Sequence, residues 1–330
     1  MTVGRTAAVA ALLALVLAGC SGADDAPQAE PSAQTAPSPE TTSASPSPTT
    51  APPSPPPAPT KRVSPDDARI RIAVEAVQHL AGRIGPRPGT SAAYFRAARW
   101  VEEQLTDTGW EVRRQRFATP AGYSWVAPVE AGPSANLIAT RGDVEPGEPW
   151  LLVGAHLDTV PRSPGAEDNA SGIGVLLTLA EALSDRRSRL PVVLVAFGSE
   201  EPRGSGDDDH HYGSRAFVET LTPAQRRSLR GMVALDRVGV GDVLPIKSTA
   251  EPSRLRAELA MAAERAGVTA VLETGHESSD HESFVDEGMP GVRLGSTSYC
   301  CYHAASDLPG VVDRAQLERT ARTVLAWLRG

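Results

Sequence analysis

Trp150-Leu-Leu-Val-Gly-Ala-His156-Leu-Asp158, followed by Glu167-Asp168-Asn169-Ala-Ser-Gly172, decides the fold. Leu151 to Ala155 is an apolar run of the length of a buried strand. Strand side chains alternate with period two, so His156 and Asp158 emerge at one strand end facing the same way. A Pro/Gly-rich loop, Pro161 to Gly165, and an acidic turn come next. Ser171 to Leu183 then reads as a helix returning along the strand. A histidine at a strand end and a carboxylate at a helix start meet where open α/β sheets bind ligands. Taken alone, the segment fits equally well a capped helix beside a stray surface histidine.

Outward from this unit the pattern repeats. The sequence predicts strands over 111–117, 134–140, 150–156, 191–198, 232–238, near 270 and over 291–295. It predicts helices over 66–80, 92–105, 171–184, 214–221, 252–266, 280–287 and 313–329, with Thr90 closing the loop that caps the second. Strands alternating with helices imply an α/β fold: a mixed, largely parallel central sheet with helices on both faces.

The N-terminal fifth reads differently. Arg5 and the apolar run Ala7 to Ala18 form a targeting segment, too short for the ~20 residues that span a bilayer. It ends Leu17-Ala18-Gly19-Cys20, which resembles a bacterial lipobox and so implies cleavage before Cys20 and lipidation of its thiol. Residues 21–64 are rich in Pro, Ser, Thr and Ala. With almost no bulky apolar side chain they are expected to be a disordered tether. The organisation expected is therefore a lipoprotein signal peptide over 1–20, the tether over 21–64 and one domain over 65–330. That domain would be held at the extracellular face of the cell membrane by the lipid alone, or be secreted. The formal net charge of −8 and the lack of clustered Lys and Arg argue against a nucleic-acid surface.

Three more segments carry chemistry at or after strand ends. Pro191 to Phe197 runs into Glu200-Glu201, Gly231-Met-Val-Ala-Leu runs into Asp236, and Ser298-Tyr-Cys-Cys-Tyr302-His303-Ala-Ala-Ser-Asp307 places a histidine between strand and helix. Adjacent carboxylates repel and call for a cation or a shared proton. A carboxylate after four small or apolar strand residues must be paired or bind metal. In a doubly wound sheet these ends gather on one edge. Two imidazoles and several carboxylates suit zinc.

With Gly85-Pro-Arg-Pro-Gly-Thr90, Ala135-Asn-Leu-Ile-Ala139, Gly154-Ala-His-Leu-Asp158, Glu167-Asp-Asn-Ala-Ser-Gly172, Ser199-Glu-Glu201, Ala234-Leu-Asp236, Ser279-Asp-His281 and Tyr302-His303 in this order, the chain resembles the secreted bacterial di-zinc aminopeptidases. These are zinc exopeptidases with a phosphorylase/hydrolase-like fold. The resemblance implies two zinc ions, one held by His156 and Asp236, the other by Glu201 and His303, with Asp168 bridging. It implies a metal-bridging hydroxide, Glu200 as general base, Asp158 behind the second nitrogen of His156, Tyr302 donating to the oxyanion, and a cis Asp168–Asn169 bond. The implied substrate is a peptide with a free N-terminus, and the chain is expected as a monomer. Ser279-Asp280-His281 would support the site without ligating; His276 is an extra histidine.

Departures from that pattern are also legible. Pro202 to Gly213 lengthens the turn after Glu201, and its run Asp207 to His211 reads as a solvated acidic loop rather than a third cation site. Arg237 stands where relatives commonly carry an apolar residue. Cys300 and Cys301 are expected as thiols, since a bridge between neighbours is strained. Two readings compete with the aminopeptidase: a single-zinc glutaminyl cyclase and a non-catalytic binding domain on the same scaffold. Dipeptidase or carboxypeptidase activity belongs to the same superfamily.

Overall fold

Alternation along two central strands builds the two faces of the fold. Leu151, Val153 and Ala155, with Leu194 and Ala196, enter one apolar cluster; Trp150 and Leu152, with Val193, Val195 and Phe197, enter another. Burying each Val, Leu or Phe among these contributes on the order of 1.5–3 kcal/mol. A computed structural model describes residues 60–330 apart from 143, 250 and 276–278. The signal-peptide and tether expectations, and His276, lie outside the described residues.

The strands are β1 (Glu111–Thr119), β2 (Gly122–Ser124), β3 (Ala127–Val129), β4 (Gly132–Thr140), β5 (Trp150–His156), β6 (Val192–Phe197), β7 (Leu229–Leu235), β8 (Leu244–Ser248), β9 (Ala270–Thr274) and β10 (Gly291–Leu294). The helices are α1 (Arg71–Val77), α2 (Ala92–Asp107), α3 (Ser171–Ala182), α4 (Tyr212–Glu219), α5 (Pro223–Ser228), α6 (Arg254–Arg265), α7 (Glu282–Val285) and α8 (Arg314–Arg329). Eight strands form one sheet in the order β1-β4-β6-β5-β7-β10-β8-β9, and β2 pairs only with β3. The centre, β6-β5-β7-β10, is parallel; β1-β4-β6 and β10-β8 are antiparallel. The expected mixed, largely parallel α/β sheet is the observed one. The larger cluster packs α1, α2, α3, α6 and α8 on one face, and the smaller takes Phe217 of α4 and Phe284 of α7 on the other.

Several details differ from the sequence-based expectation. The helix expected over 66–80 is a 3-10 turn at Pro65–Asp67, then α1, then a wide turn through Ile84. Ser91, not Thr90, caps α2 by accepting the Tyr94 N–H at 3.1 Å, while Thr90 donates to Glu130 O. The fold also reaches past the expected boundary at Pro65: Val63 is fully buried and its N–H bonds Arg187 O at 3.0 Å. The β2–β3 hairpin, α5 and β8 were not expected, each being too short to show a period. Among the described residues no helix is long and apolar enough to cross a membrane.

Candidate metal centre

The C-terminal ends of β5, β6 and β7 bring together the five residues expected to hold metal. His156 ends β5, Glu200 and Glu201 follow β6, and Asp236 follows β7. Asp168 lies in the turn before α3, and its peptide bond to Asn169 is cis, as the resemblance implied. His303 comes from the loop after β10. Two triads result, His156–Asp168–Asp236 and Asp168–Glu201–His303, each with ligand atoms within 4.8 Å of one another. His156 Nε2 is 3.1 Å from Asp168 Oδ1 and 3.8 Å from Asp236 Oδ1. His303 Nε2 is 3.1 Å from Asp168 Oδ2 and 3.3 Å from Glu201 Oε2. Asp168 thus turns one oxygen to each triad.

Electrostatics in this rim are severe. Burial, then the carboxylates of Asp236, Asp158 and Asp168, push Glu200 up to about 8. Burial and the Asp168 carboxylate push Glu201 up to about 7, against the pull of His303. Burial would lower His303, but Glu201 and Asp168 outweigh it and raise it to about 10. Glu201 Oε1 and His303 Nδ1 are buried with no hydrogen-bond partner. An unpartnered carboxylate oxygen on Glu201, amid mutually repelling buried carboxylates and imidazole Nε2 atoms, is part of a donor set that a divalent cation satisfies. The residues therefore fit the expected metal.

Surrounding groups set the geometry. Asp158 stands behind His156, with its carboxylate Oδ1 3.9 Å from Nδ1 and its carbonyl 3.2 Å from the same nitrogen. The Asp158 carboxylate accepts the N–H groups of Glu200 and Glu201 at 3.0 and 3.2 Å. Asp158 therefore also positions the Glu-Glu pair. Asp307 does the same for the bridging residue, accepting from Glu167 N at 2.9 Å and Asp168 N at 3.2 Å. Glu167 in turn accepts from Gly239 N at 2.9 Å, tying the turn after β7 to the turn before α3. Arg87, fully buried, donates to Leu157 O at 2.7 Å, Pro164 O at 2.6 Å and Gly165 O at 3.1 Å. The Pro/Gly loop is thus clamped by one guanidinium. Buried Asp280 and His281 stand near without entering either triad.

The lengthened turn after Glu201 has two characters. Asp207 and Asp208 are exposed, as expected of a solvated loop. His211 is buried, with Nε2 3.5 Å from Glu200 Oε1, and sequence reasoning missed it because it sits inside an acidic run. Arg203 was missed too. It donates to Pro120 O at 2.7 Å and Glu130 O at 2.9 Å, and its carbonyl accepts the Tyr123 N–H at 2.9 Å. A side chain at Gly122 would meet that carbonyl at 1.9 Å, so only glycine lets the β2–β3 hairpin seat here. The hairpin brings Trp125 over the centre, its ring centroid 4.7 Å from that of His303. Tyr302 stacks on His303 at 3.8 Å. Trp125, Tyr302, Glu200, His211 and the candidate ligands line a cavity of about 240 Å³. Cys300 and Cys301 are free thiols outside both triads.

Residues 136–328 match the family model of peptidase family M28. The chain belongs to that family. Among curated relatives, an uncharacterised Escherichia coli protein, YfbL, is 29% identical over 52% of this chain and 50% of its own length. The Bacillus subtilis aminopeptidase YwaD is 32% identical over 47% of this chain and 34% of its own length. The chain thus spans half or less of these relatives. Among solved structures, a B. subtilis zinc aminopeptidase superposes with a TM-score of 0.70 at 18% identity, covering 79% of this chain and 94% of that one. At that identity the likeness concerns the fold alone.

Proposed function

We propose that this chain is a zinc-dependent aminopeptidase that removes the N-terminal residue from peptides. One observation carries the reading: two triads, buried but for the half-buried His303, share the two oxygens of Asp168, and Glu200 lines the same cavity. His156 and Asp236 would hold one ion, Glu201 and His303 the other, and Asp168 both. Two such ions supply an activated water and polarise the scissile carbonyl. Glu200 takes the proton released in the attack and returns it to the leaving amine. Its tuning toward neutrality by burial suits a group that must do both. Asp158 fixes the Glu200 and Glu201 backbone, so the base faces the reacting atoms without searching. Tyr302, on the cavity wall, donates to the developing oxyanion. The surplus of carboxylates receives the substrate's ammonium end.

A single-ion cyclase would leave one triad without use, so the doubled triad favours the hydrolase. The decisive test is turnover of free and N-acetylated aminoacyl substrates, with and without chelator, beside an N-terminal Gln peptide. Zinc-dependent cleavage of the free-amine set alone is the expected result. Indifference to acetylation, or cyclisation of the Gln peptide, rejects the proposal. For the segment before the domain we propose lipidation of Cys20 and display at the outer membrane face. Metabolic labelling with a lipid precursor tests this, and absence of label on the native chain refutes the anchor.

A further inference from the structure

One cation at the cavity wall has no part in the mechanism above. Arg237 lines the cavity beside Asp236 and Tyr302. Its backbone has φ 56°, in the left-handed region that non-glycine residues seldom enter. It is pinned there from both sides. Asn169 Oδ1 accepts its N–H at 3.3 Å, and its carbonyl accepts the Ser296 N–H at 2.8 Å. Backbone held so tightly in a sparse region is a mark of ligand-binding positions.

The side chain is oriented as firmly. Its guanidinium carbon lies over the Tyr302 ring, 4.4 Å from the centroid, a cation–π contact that holds the group at the cavity wall. The nearest carboxylate oxygen, Asp236 Oδ1, is 3.7 Å from Nε, beyond hydrogen-bond range. Among the described residues no oxygen accepts a hydrogen bond from this guanidinium. The other arginines at the rim differ: Arg87 donates to backbone carbonyls, and Arg293 Nη1 lies 3.3 Å from Asp236 Oδ2. Arg237 is the one whose fork faces the cavity unfilled.

We propose that Arg237 binds a carboxylate of the substrate one residue beyond the scissile bond, making short peptides with an anion there the preferred class. This rests on the aminopeptidase reading and deepens it. A guanidinium fork matches a carboxylate bidentately. Arg237 adjoins the candidate ligand Asp236 in the chain, so its side chain works close to the reacting atoms. One extended residue spans only ~3.3–3.6 Å. The cavity, about 240 Å³, is smaller than the ~300–1,000 Å³ of ordinary ligand sites, which suits a short peptide. The site is also polarised in the sense of a zwitterion, with acids for the ammonium end and one open arginine for the other. The carboxylate has two sources: the C-terminus of a dipeptide, or an acidic side chain at that position of a longer one.

Three substrates separate these sources: Leu-Ala, Leu-Ala amide and Leu-Asp amide. The native enzyme should favour a carboxylate-bearing substrate over Leu-Ala amide in kcat/KM by about tenfold or more, the scale of a charge-assisted hydrogen bond. Preference for Leu-Ala assigns the main-chain carboxylate, and preference for Leu-Asp amide the side chain. Arg237→Met should bring the ratio to near one, and Arg237→Lys should restore part of it. Calorimetry on the Glu200→Gln protein gives a readout without turnover: Leu-Ala or Leu-Asp amide should bind more tightly than Leu-Ala amide, and the added Arg237→Met change should abolish the difference. Equal kcat/KM for all three substrates overturns the role of Arg237 and leaves the aminopeptidase reading intact. Absence of turnover on all three overturns that reading, while the calorimetric difference still decides the carboxylate site.

Discussion

The two triads share Asp168 but keep different company. On the Asp236 side the carboxylate already faces cations, with Arg293 Nη1 at 3.3 Å and Arg237 Nε at 3.7 Å. On the Glu201 side one buried carboxylate oxygen, Oε1, has no hydrogen-bond partner among the described residues. One half of the centre is partly neutralised by the protein; the other is left for an ion to satisfy. The two triads proposed to hold ions, equal by ligand count, are therefore unequal in electrostatics, and the inequality is set by residues outside both triads.

The harshest way to break the comparison is to remove what the halves have in common. Asp168→Asn should lose both ions, read by elemental analysis of the dialysed protein, and reduce turnover to background. Retention of one ion would mean that the triads are independent and that Asp168 does not bridge. Next comes Glu200→Gln, which belongs to neither triad. Both ions should stay while kcat falls by about 10²–10⁴, the usual contribution of a positioned acid–base group. Loss of an ion would move Glu200 from base to ligand.

Protons sharpen the contrast further. His303 is raised to about 10 by Glu201 and Asp168, and His156 well above its ordinary value by Glu200, Asp168 and Asp236, both against the effect of burial. Each holds a proton at neutral pH that ligation must expel, so metal affinity rises with pH below those values. The histidine proton alone should lower affinity by about a hundredfold from pH 8 to pH 6, and on the Glu201 side the carboxyl, raised to about 7, adds to the fall below that pH. Calorimetry in buffers of different ionisation heats would show the proton directly; uptake independent of pH would contradict the histidine assignments. Asp307→Asn, which weakens the grip on the Asp168 backbone without touching either triad, should cost about 10–100-fold in metal affinity, the range for outer partners of metal ligands. Competition with a chromogenic chelator measures it, and an unchanged affinity would make Asp307 merely structural.

What the sequence made legible follows from the length and strength of its patterns. β5, β6 and β7 are continuous apolar runs ending in charge, so both strands and site residues stood out. His156, Asp168, Glu200, Glu201, Asp236 and His303 all gather as expected because parallel strands end on one edge. Positioning groups were harder to see. Arg203 and His211 lie in a loop whose local composition reads as solvated, and their burial comes from the distant hairpin at Gly122–Val129 and from Glu200. The hold of Asp158 on the Glu200 and Glu201 N–H groups was not legible because spacing along a strand reports side-chain direction, not every donor a carboxylate takes. Arg87 and Asp307 do their work on backbone carbonyls and amides, which leave no signature in side-chain patterns.

The smallest expected effect tests the inequality itself. Arg293 places a positive charge against Asp236 in a buried setting, where screening by salt is weak. An ion on that side must share its carboxylate with a guanidinium, whereas an ion beside Glu201 meets an acceptor with no rival. A charge-assisted contact contributes ~1.5 kcal/mol or more, so the two affinities should differ by about tenfold, with the Asp236 side weaker. Titrating the cobalt-loaded protein with chelator should then give two release steps rather than one. The first would be assigned to the Asp236 side if Asp236→Asn removes it and Glu201→Gln does not. Arg293→Leu should draw the two steps together by strengthening the weaker site. Two steps that stay equally far apart in that variant would show that the asymmetry comes from ligand geometry and not from the neighbouring cations.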